Sequence, residues 1–415
     1  MAFLYDCVLF IYYTLIQFSS LFNSKANKWV KGRKNWVDLL SSTRKEKEKW
    51  IWFHCSSLGE YEDCCEVFYQ IRRDNPSKKT LLTFHSPSGF EAKEKSNEFN
   101  LVMYIPQDTK RNSQQFIEIL KPDVIFFSRS ELWFNFIMEI KKSNIPIFLL
   151  SLKLNKKSNF LKQPAKIIYA KCFNAFTYIY CQNEITQRLL SDHFNISNTS
   201  ITGNTRFDRI YRESLSLKEI PYIKQFSENN FIIVSGSCLL KDEKNIIAAF
   251  NHLKSSKIKC VIVPHEIDSE RIDKIVKKNT DKIIRYSNIE FLKESHTILY
   301  IDSIGILKYL YRYANLAIIG GGFNKIGIHN IIEASIYGVK TTFGPNHKNY
   351  QEALDLINMD GAIVHNNIEE LIKIIGKELT NPSDNILKEK IISYAQNNTG
   401  GSLKIIESIR AKGLI

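Results

Sequence analysis

The sequence predicts an α/β protein of two doubly wound domains preceded by a membrane-associated helix. Three observations carry that expectation. The length of 415 residues is too great for one ordinary hydrophobic core, short apolar runs alternate with longer amphipathic ones in two separate series, and a charge-free apolar stretch opens the chain. The hydrophobic fraction of 44% and charged fraction of 24% exclude wholesale disorder.

The first element is Cys7 to Phe22, a stretch without charge and rich in Leu, Ile, Phe and Tyr. It falls short of the roughly 20 apolar residues that span a bilayer as a helix. No Lys or Arg precedes it and no small-residue cleavage site follows, which argues against a signal peptide. Lys25, Lys28, Lys31, Arg33 and Lys34 come next, the arrangement of a helix lying on an anionic leaflet. The alternative is the buried first helix of a soluble domain. Residues 1–35 are assigned to this element.

A first domain is expected over residues 36–215, with strands at Trp50–Cys55, Thr80–Phe84, Val102–Ile105, Asp123–Phe127, Ile147–Ser151 and Tyr178–Cys181. A polar, irregular stretch gives a linker at 216–230. A second domain is expected over 231–415, with strands at Phe231–Ser235, Lys259–Val263, Thr297–Ile301, Leu316–Gly320 and Lys340–Phe343. Strands separated by helices make parallel sheets, and ligands of such sheets sit beyond the carboxyl ends of the strands. The two halves are expected to face one another across a cleft.

The net charge of +14 calls for anionic partners. Its lysines are scattered, and no RNP-like aromatic motif, zinc-finger spacing or arginine-rich arm accompanies them, so no nucleic acid is expected. Eight cysteines without a CxxC pair read as reduced residues of a cytosolic protein, and nine histidines without metal-ligand spacing predict no metal site.

The chemistry-bearing motifs follow the strands. Gly320-Gly321-Gly322-Phe323 and Gly327-Ile328-His329-Asn330-Ile331-Ile332-Glu333 come after the run Leu316–Ile319. Glycines there let backbone approach a ligand, a following helix offers N–H groups to phosphate, and a carboxylate one turn in can accept from ribose hydroxyls. A plain strand-to-helix turn has the same pattern. Ser57 and Glu60 have capping-box spacing, which explains both residues without a ligand; the same position would put Glu60 at the cleft as a proton acceptor. Glu131 follows another strand, as a helix-start acid or a functional carboxylate. Gly203-Asn204-Thr205-Arg206-Phe207-Asp208 presents a guanidinium beside an acid, either a turn with an Arg–Asp pair or a cation for a departing phosphate. Pro264-His265 and Gly344-Pro345 punctuate two further strand ends.

The ordered set Ser57-x-Gly59-Glu60, Glu131-Leu132-Trp133-x-Asn135, Gly203-Asn204-x-Arg206-Phe207-Asp208, Val263-Pro264-His265, Gly321-Gly322, His329-Asn330-x-x-Glu333 and Gly344-Pro345 is similar to that of the Kdo (3-deoxy-D-manno-octulosonic acid) transferases of lipopolysaccharide synthesis. The resemblance covers nearly the whole chain. It implies a GT-B fold and transfer of Kdo from CMP-Kdo to a lipid A precursor (lipid IVA) by an inverting displacement, without metal or cofactor. It also implies a monotopic place on the cytoplasmic face of the inner membrane, among anionic lipids. It further implies that Glu60 is the general base and that Glu131 and Arg206 stabilise the transition state. Pro264, His265, Gly305, Gly321, Gly322, Asn330 and Glu333 fall in the stretches that hold CMP. The chain departs from the family pattern where arginine gives way to His265, a Met-Gly-Glu stretch to Ile304-Gly305-Ile306, a Gly-Gly-Ser to Gly321-Gly322-Phe323, and paired acids before the tryptophan to Glu131 alone. A GT-B transferase of another nucleotide sugar, or a non-enzymatic basic protein binding membrane or RNA, are the competing readings.

Overall fold

The computed structural model describes residues 2–216, 218–253, 255 and 257–413. They form two compact units, one of Met1–Arg209 with Asn398–Ile415 and one of Ile210–Asn397. Among the described residues each unit contains a seven-stranded, wholly parallel sheet.

In the first unit the strands are β1 (Trp50–Cys55), β2 (Lys79–Phe84), β3 (Leu101–Tyr104), β4 (Val124–Ser128), β5 (Ile147–Leu152), β6 (Tyr178–Cys181) and β7 (Thr199–Ile201). Their order is β3-β2-β1-β4-β5-β6-β7. All six residues of β1 are buried because helices cover both faces of the sheet. Trp50 and Trp52 enter one core, with Phe116, Phe127 and Phe136, while Ile51, Phe53 and Cys55 enter the other, with Phe68, Phe84 and Phe126. The order reverses between β1 and β4, so the loops leaving those two strands flank the switch point where such sheets bind ligands.

The second unit has β8 (Phe231–Cys238), β9 (Ile258–Pro264), β10 (Ile283–Arg285), β11 (Ile298–Tyr300), β12 (Leu316–Ile319), β13 (Lys340–Phe343) and β14 (Ala362–Val364), in the order β10-β11-β9-β8-β12-β13-β14. Its switch point lies between β8 and β12. Every strand expected from the sequence is present within a few residues. The three that periodicity did not reveal, β7, β10 and β14, are three-residue strands at sheet edges, too short to display a pattern.

Two expected boundaries move. The chain passes between units at Arg209/Ile210, and residues 216–230 include a helix, Ile223–Ser227, that buries Ile223 and Phe226 in the second unit. The expected second domain of 231–415 also loses its end. The last helix, Gly401–Ala411, places Ile405, Ile406 and Ile409 in the core of the first unit beside Phe53 and Phe148. Asp208 secures it by accepting from the backbone N–H groups of Gly400 (2.5 Å) and Ser402 (2.8 Å).

At the amino terminus, α1 (Ala2–Ser19) is long and apolar enough to cross a membrane by length and composition alone. Its polar side chains nevertheless dock on the first unit around the buried Asp108. That carboxylate accepts from the Tyr5 hydroxyl (2.6 Å) and the backbone of Phe136 (2.9 Å), while Tyr13 accepts from the Asp108 N–H (2.9 Å). Asn135 ties Asp6 to the same place (2.9 Å). Phe3, Phe10, Phe18 and Phe22 point away and are 66–82% exposed, an apolar surface large enough to demand a cover. The basic run is smaller than it reads. In α2 (Ser24–Lys31) and just beyond it the lysines are outward, but Arg33 is buried, donates to the carbonyls of Trp29 and His85 and lies 3.7 Å over the Trp29 ring.

Because Ile406 is buried in the first unit, Ile406→Ala is expected to cost about 2–5 kcal/mol there. Hydrogen exchange should show the loss of protection in residues 50–209 and not in residues 231–397.

Candidate active site

Three strand-end regions of the first unit, after β1, β4 and β7, bring three acids and two arginines together. Ser56 follows β1, and its backbone N–H donates to Oε2 of Glu60 at 2.6 Å. Its hydroxyl lies near Glu131, which is in the loop between β4 and the helix Phe134–Lys142. The capping box expected from Ser57 and Glu60 does not form: Ser57 caps the helix Leu58–Asp74 by position but makes no side-chain bond to it. Glu60 is therefore aimed at the strand-end loop and at Glu131.

Burial pushes the Glu60 carboxyl up to about 8, and the neighbouring Glu131 charge adds to it against the Ser56 N–H and Arg129. Burial also pushes Glu131 up to about 7, with the Ser56 hydroxyl opposing. Two carboxyls facing each other with little water cannot both ionise cheaply, and such a pair holds a proton near neutrality.

Arg206 does not pair with Asp208, which caps the last helix. Its Nε donates to Oδ1 of Asp63 at 2.6 Å, while Nε of Arg129 bonds the other carboxylate oxygen. Asp63 is almost fully buried. Burial works to raise its carboxyl, but the charges of Arg206 and Arg129 prevail and hold it below the usual carboxylate range. Thr205 adds a hydroxyl bond to the Asp63 carbonyl, so the turn before Arg206 is fastened to the Glu60 helix. The sequence motifs do not point to Ser56, Asp63 or Arg129. One signal was present: Asp63 interrupts the apolar stripe of Cys64, Val67 and Ile71, where an unpaired acid would be untenable. Trp133 and Asn135 of the Glu131 motif are supports. The indole donates to His54 Nε2 at 2.8 Å, and the amide holds Asp6 and Asp108.

In the second unit the candidate donor residues again follow strands at a switch point. Gly321 has φ +91°, and a Cβ there would lie 2.5 Å from the Gly327 carbonyl and 2.8 Å from the His329 ring. A Cβ on Gly322 would strike the backbone of Gly344 at 2.5 Å. The glycines thus serve close backbone-to-backbone packing of the loops after β12 and β13. Asp242, which no sequence motif marks, fixes the turn by accepting from the N–H groups of Gly321 (2.9 Å) and Leu239 (2.8 Å). His265, after Pro264 at the end of β9, stacks on His329 with centroids 4.3 Å apart. Burial, with His265 second, pushes His329 down to about 4. Asn330 donates to Glu333 at 2.9 Å. The helix expected to present its N-terminus there is one turn long, Ile332–Ser335, and has little dipole to offer. Gly305 lies in the loop beyond β11 with open space where a Cβ would point, and no contact there ties it to the other residues.

Residues 31–209 match the family described as 3-deoxy-D-manno-octulosonic-acid transferase (kdotransferase). The chain is similar to a 3-deoxy-D-manno-octulosonic acid transferase of Rickettsia bellii, 26% identical over 397 residues, covering 91% of this chain and 92% of that one. It is similar to a bifunctional glycosyltransferase/methyltransferase of Fusobacterium nucleatum subsp. nucleatum, 26% identical over 378 residues. That match covers 87% of this chain and only 57% of the relative. Among solved structures, the UDP-GlcNAc 2-epimerase of Neisseria meningitidis bound to UDP-GlcNAc superposes with a TM-score of 0.60 at 15% identity, covering 87% of this chain and 100% of that one. The shared feature there is the fold, a pair of parallel α/β domains of GT-B type.

A raised carboxyl binds its proton more tightly in the folded than in the unfolded chain, so its contribution to stability is present at low pH and is lost as pH rises through the folded value. Glu60→Gln is accordingly expected to match wild type near pH 4, below the ordinary carboxyl value. It should become the more stable protein by on the order of 1–2 kcal/mol near pH 8.5, read from denaturant midpoints at both pH values.

Proposed function

We propose that this chain, which matches the Kdo transferase family over residues 31–209, transfers Kdo from CMP-Kdo to a sugar hydroxyl of a lipid A precursor at the cytoplasmic face of the inner membrane. The observation that carries the reading is the Glu60–Glu131 pair beside Ser56 at the switch point of the first sheet.

In this reading the ionised Glu60 takes the proton of the acceptor hydroxyl as the oxygen attacks the anomeric carbon of Kdo. The bond from that carbon to the CMP phosphate oxygen breaks, and CMP leaves with the electron pair. Attack opposite the leaving group inverts the anomeric configuration. A base whose proton affinity lies near neutrality is matched to an alcohol that becomes acidic only as the new bond forms. Glu131, a carboxylate beside it, favours the positive character that develops on the sugar ring, and Arg206 offsets the charge of the departing phosphate. The second unit supplies the donor platform of Pro264, His265, Gly321, Gly322, Asn330 and Glu333. Gly305 joins the donor residues through the resemblance alone.

The test is incubation with CMP-Kdo and a tetraacylated lipid A precursor, with mass spectrometry of the lipid; competition by CMP but not UDP distinguishes this donor from another nucleotide sugar. Glu60→Gln should fold, bind CMP and lose on the order of 10²–10⁴-fold in transfer rate. Near-normal turnover in that variant removes Glu60 from the mechanism.

Membrane attachment is proposed through α1, whose outward phenylalanines would sink among acyl chains while Lys25, Lys28, Lys31 and Lys34 meet anionic headgroups. The Asp108 docking favours a helix lying along the surface with the domain. Phe10→Asp/Phe18→Asp, which leaves that docking untouched, should abolish flotation with vesicles containing anionic lipid at unchanged melting temperature. Flotation equal to wild type would refute the anchor.

A further inference from the structure

Arg129 and Asp63 are charged groups at the strand ends of the first unit to which the proposed reaction assigns no task. Arg129 is the first residue after β4 and directly precedes the Ser130-Glu131 turn, at the switch point of the sheet. Its backbone is left-handed, φ +56°, which costs a long side chain of this kind on the order of 1–3 kcal/mol and is kept where the surroundings enforce it. The enforcement is visible. The Arg129 N–H bonds the Leu150 carbonyl at 2.8 Å, and its guanidinium is gripped by Asp63. The effect is to bring a cation to the same place as Glu60 and Glu131.

Asp63 commits both carboxylate oxygens to guanidiniums, one from the loop after β4 and one from the loop after β7. Each arginine is engaged through Nε, and about a quarter of each side chain is exposed (27% and 26%), whereas Asp63 is 1% exposed. Here one buried anion orients two guanidiniums that remain partly open to solvent. Breaking a buried pair from the acid side would leave two guanidiniums without a fixed orientation.

We propose that Arg129 is a second oxyanion-binding residue of the active site and that Asp63 is the positioning residue that holds it and Arg206 toward the anionic donor. The inference rests on the transferase reading for the donor's identity. The oxyanion is the phosphate of the nucleotide or the carboxylate of the sugar acid, which share the chemistry that a guanidinium binds. Two cations fixed in advance would lower the barrier more than two mobile ones, since no reorientation is required when the phosphate leaves.

The same geometry has an electrostatic signature at Glu60. That carboxyl is faced by Glu131 and Arg129 from the loop after β4 and by Asp63 from its own helix, with the buried thiols of Cys55 and Cys64 beside it. Arg129 favours its ionised form and Asp63 disfavours it. Removing the two charges must therefore move the Glu60 titration in opposite directions, an outcome that a merely structural ion pair with no tie to the site does not give.

The experiment uses the full chain in Arg129→Gln, Asp63→Asn and Asp63→Glu forms. Calorimetry with CMP and separately with free Kdo reads the oxyanion site, and carbon-13 NMR of labelled glutamate carboxyls, assigned by Glu60→Gln, reads the titration. Arg129→Gln is expected to weaken one of the two ligands by about 10-fold or more and to move the Glu60 titration to higher pH. Loss of CMP binding identifies the phosphate, and loss of Kdo binding the carboxylate. Asp63→Asn is expected to move the titration to lower pH and to lower turnover by up to about 10²-fold, with Asp63→Glu recovering part of it. Unchanged affinity for both ligands in Arg129→Gln overturns the proposal, as does a Glu60 titration that stays in place in that variant. If Asp63→Asn fails to fold, Arg129→Gln decides alone, because that side chain is partly exposed and its loss removes no core atoms. Ligand affinity and the Glu60 titration are both read without turnover, so an inactive wild type sinks the transferase reading while these two measurements still decide the role of Arg129.

Discussion

A parallel sheet buried on both faces confines charge to the ends of its strands, and both units of this protein are arranged around that constraint. Trp50 to Cys55 has no side of the sheet on which to place a solvated group, and neither has Val124 to Ser128. The acids and arginines therefore gather where the strands stop. They gather at the point where strand order reverses, because there the loops diverge to opposite faces and leave the sheet edge uncovered.

Within that small region the charges determine one another. Glu60 and Glu131 alone would share a proton by repulsion; Arg129 and Arg206 alone would draw both acids into ordinary salt bridges and lower their proton affinity. Asp63 prevents the second outcome by occupying the Nε edges of both guanidiniums. The acids keep a high proton affinity although two cations lie close by. The same device recurs at Asp108, where one buried carboxylate collects Tyr5 and two backbone N–H groups from the helix Phe134–Lys142, so that an otherwise apolar helix is fastened by its few polar atoms.

The second unit solves a different problem. Its loops after β12 and β13 approach more closely than any Cβ permits, which is why Gly322 and Gly344 face one another, and Asp242 replaces the missing side chains as the fastener of the turn. The single helical turn at Ile332–Ser335 has little dipole, and beside it His265 and His329 stack on one another.

The sequence by itself determined the α/β class, the position of the long strands and the order of the motifs, because those depend on local periodicity and on residue types at strand ends. It also carried Glu60 and Glu131 as candidates. Tertiary structure alone decided what each charged residue meets. Asp208 lies two residues from Arg206 in the chain yet caps the last helix, and Arg206 reaches across to Asp63. Ser57 and Glu60 have the spacing of a capping box, yet Glu60 turns to Ser56. The last helix follows the second sheet in sequence and packs on the first in space. The physical reason is common to all three: spacing along the chain fixes which backbone groups are within reach, whereas the partner of a buried charge is fixed by which loops the sheet order brings side by side.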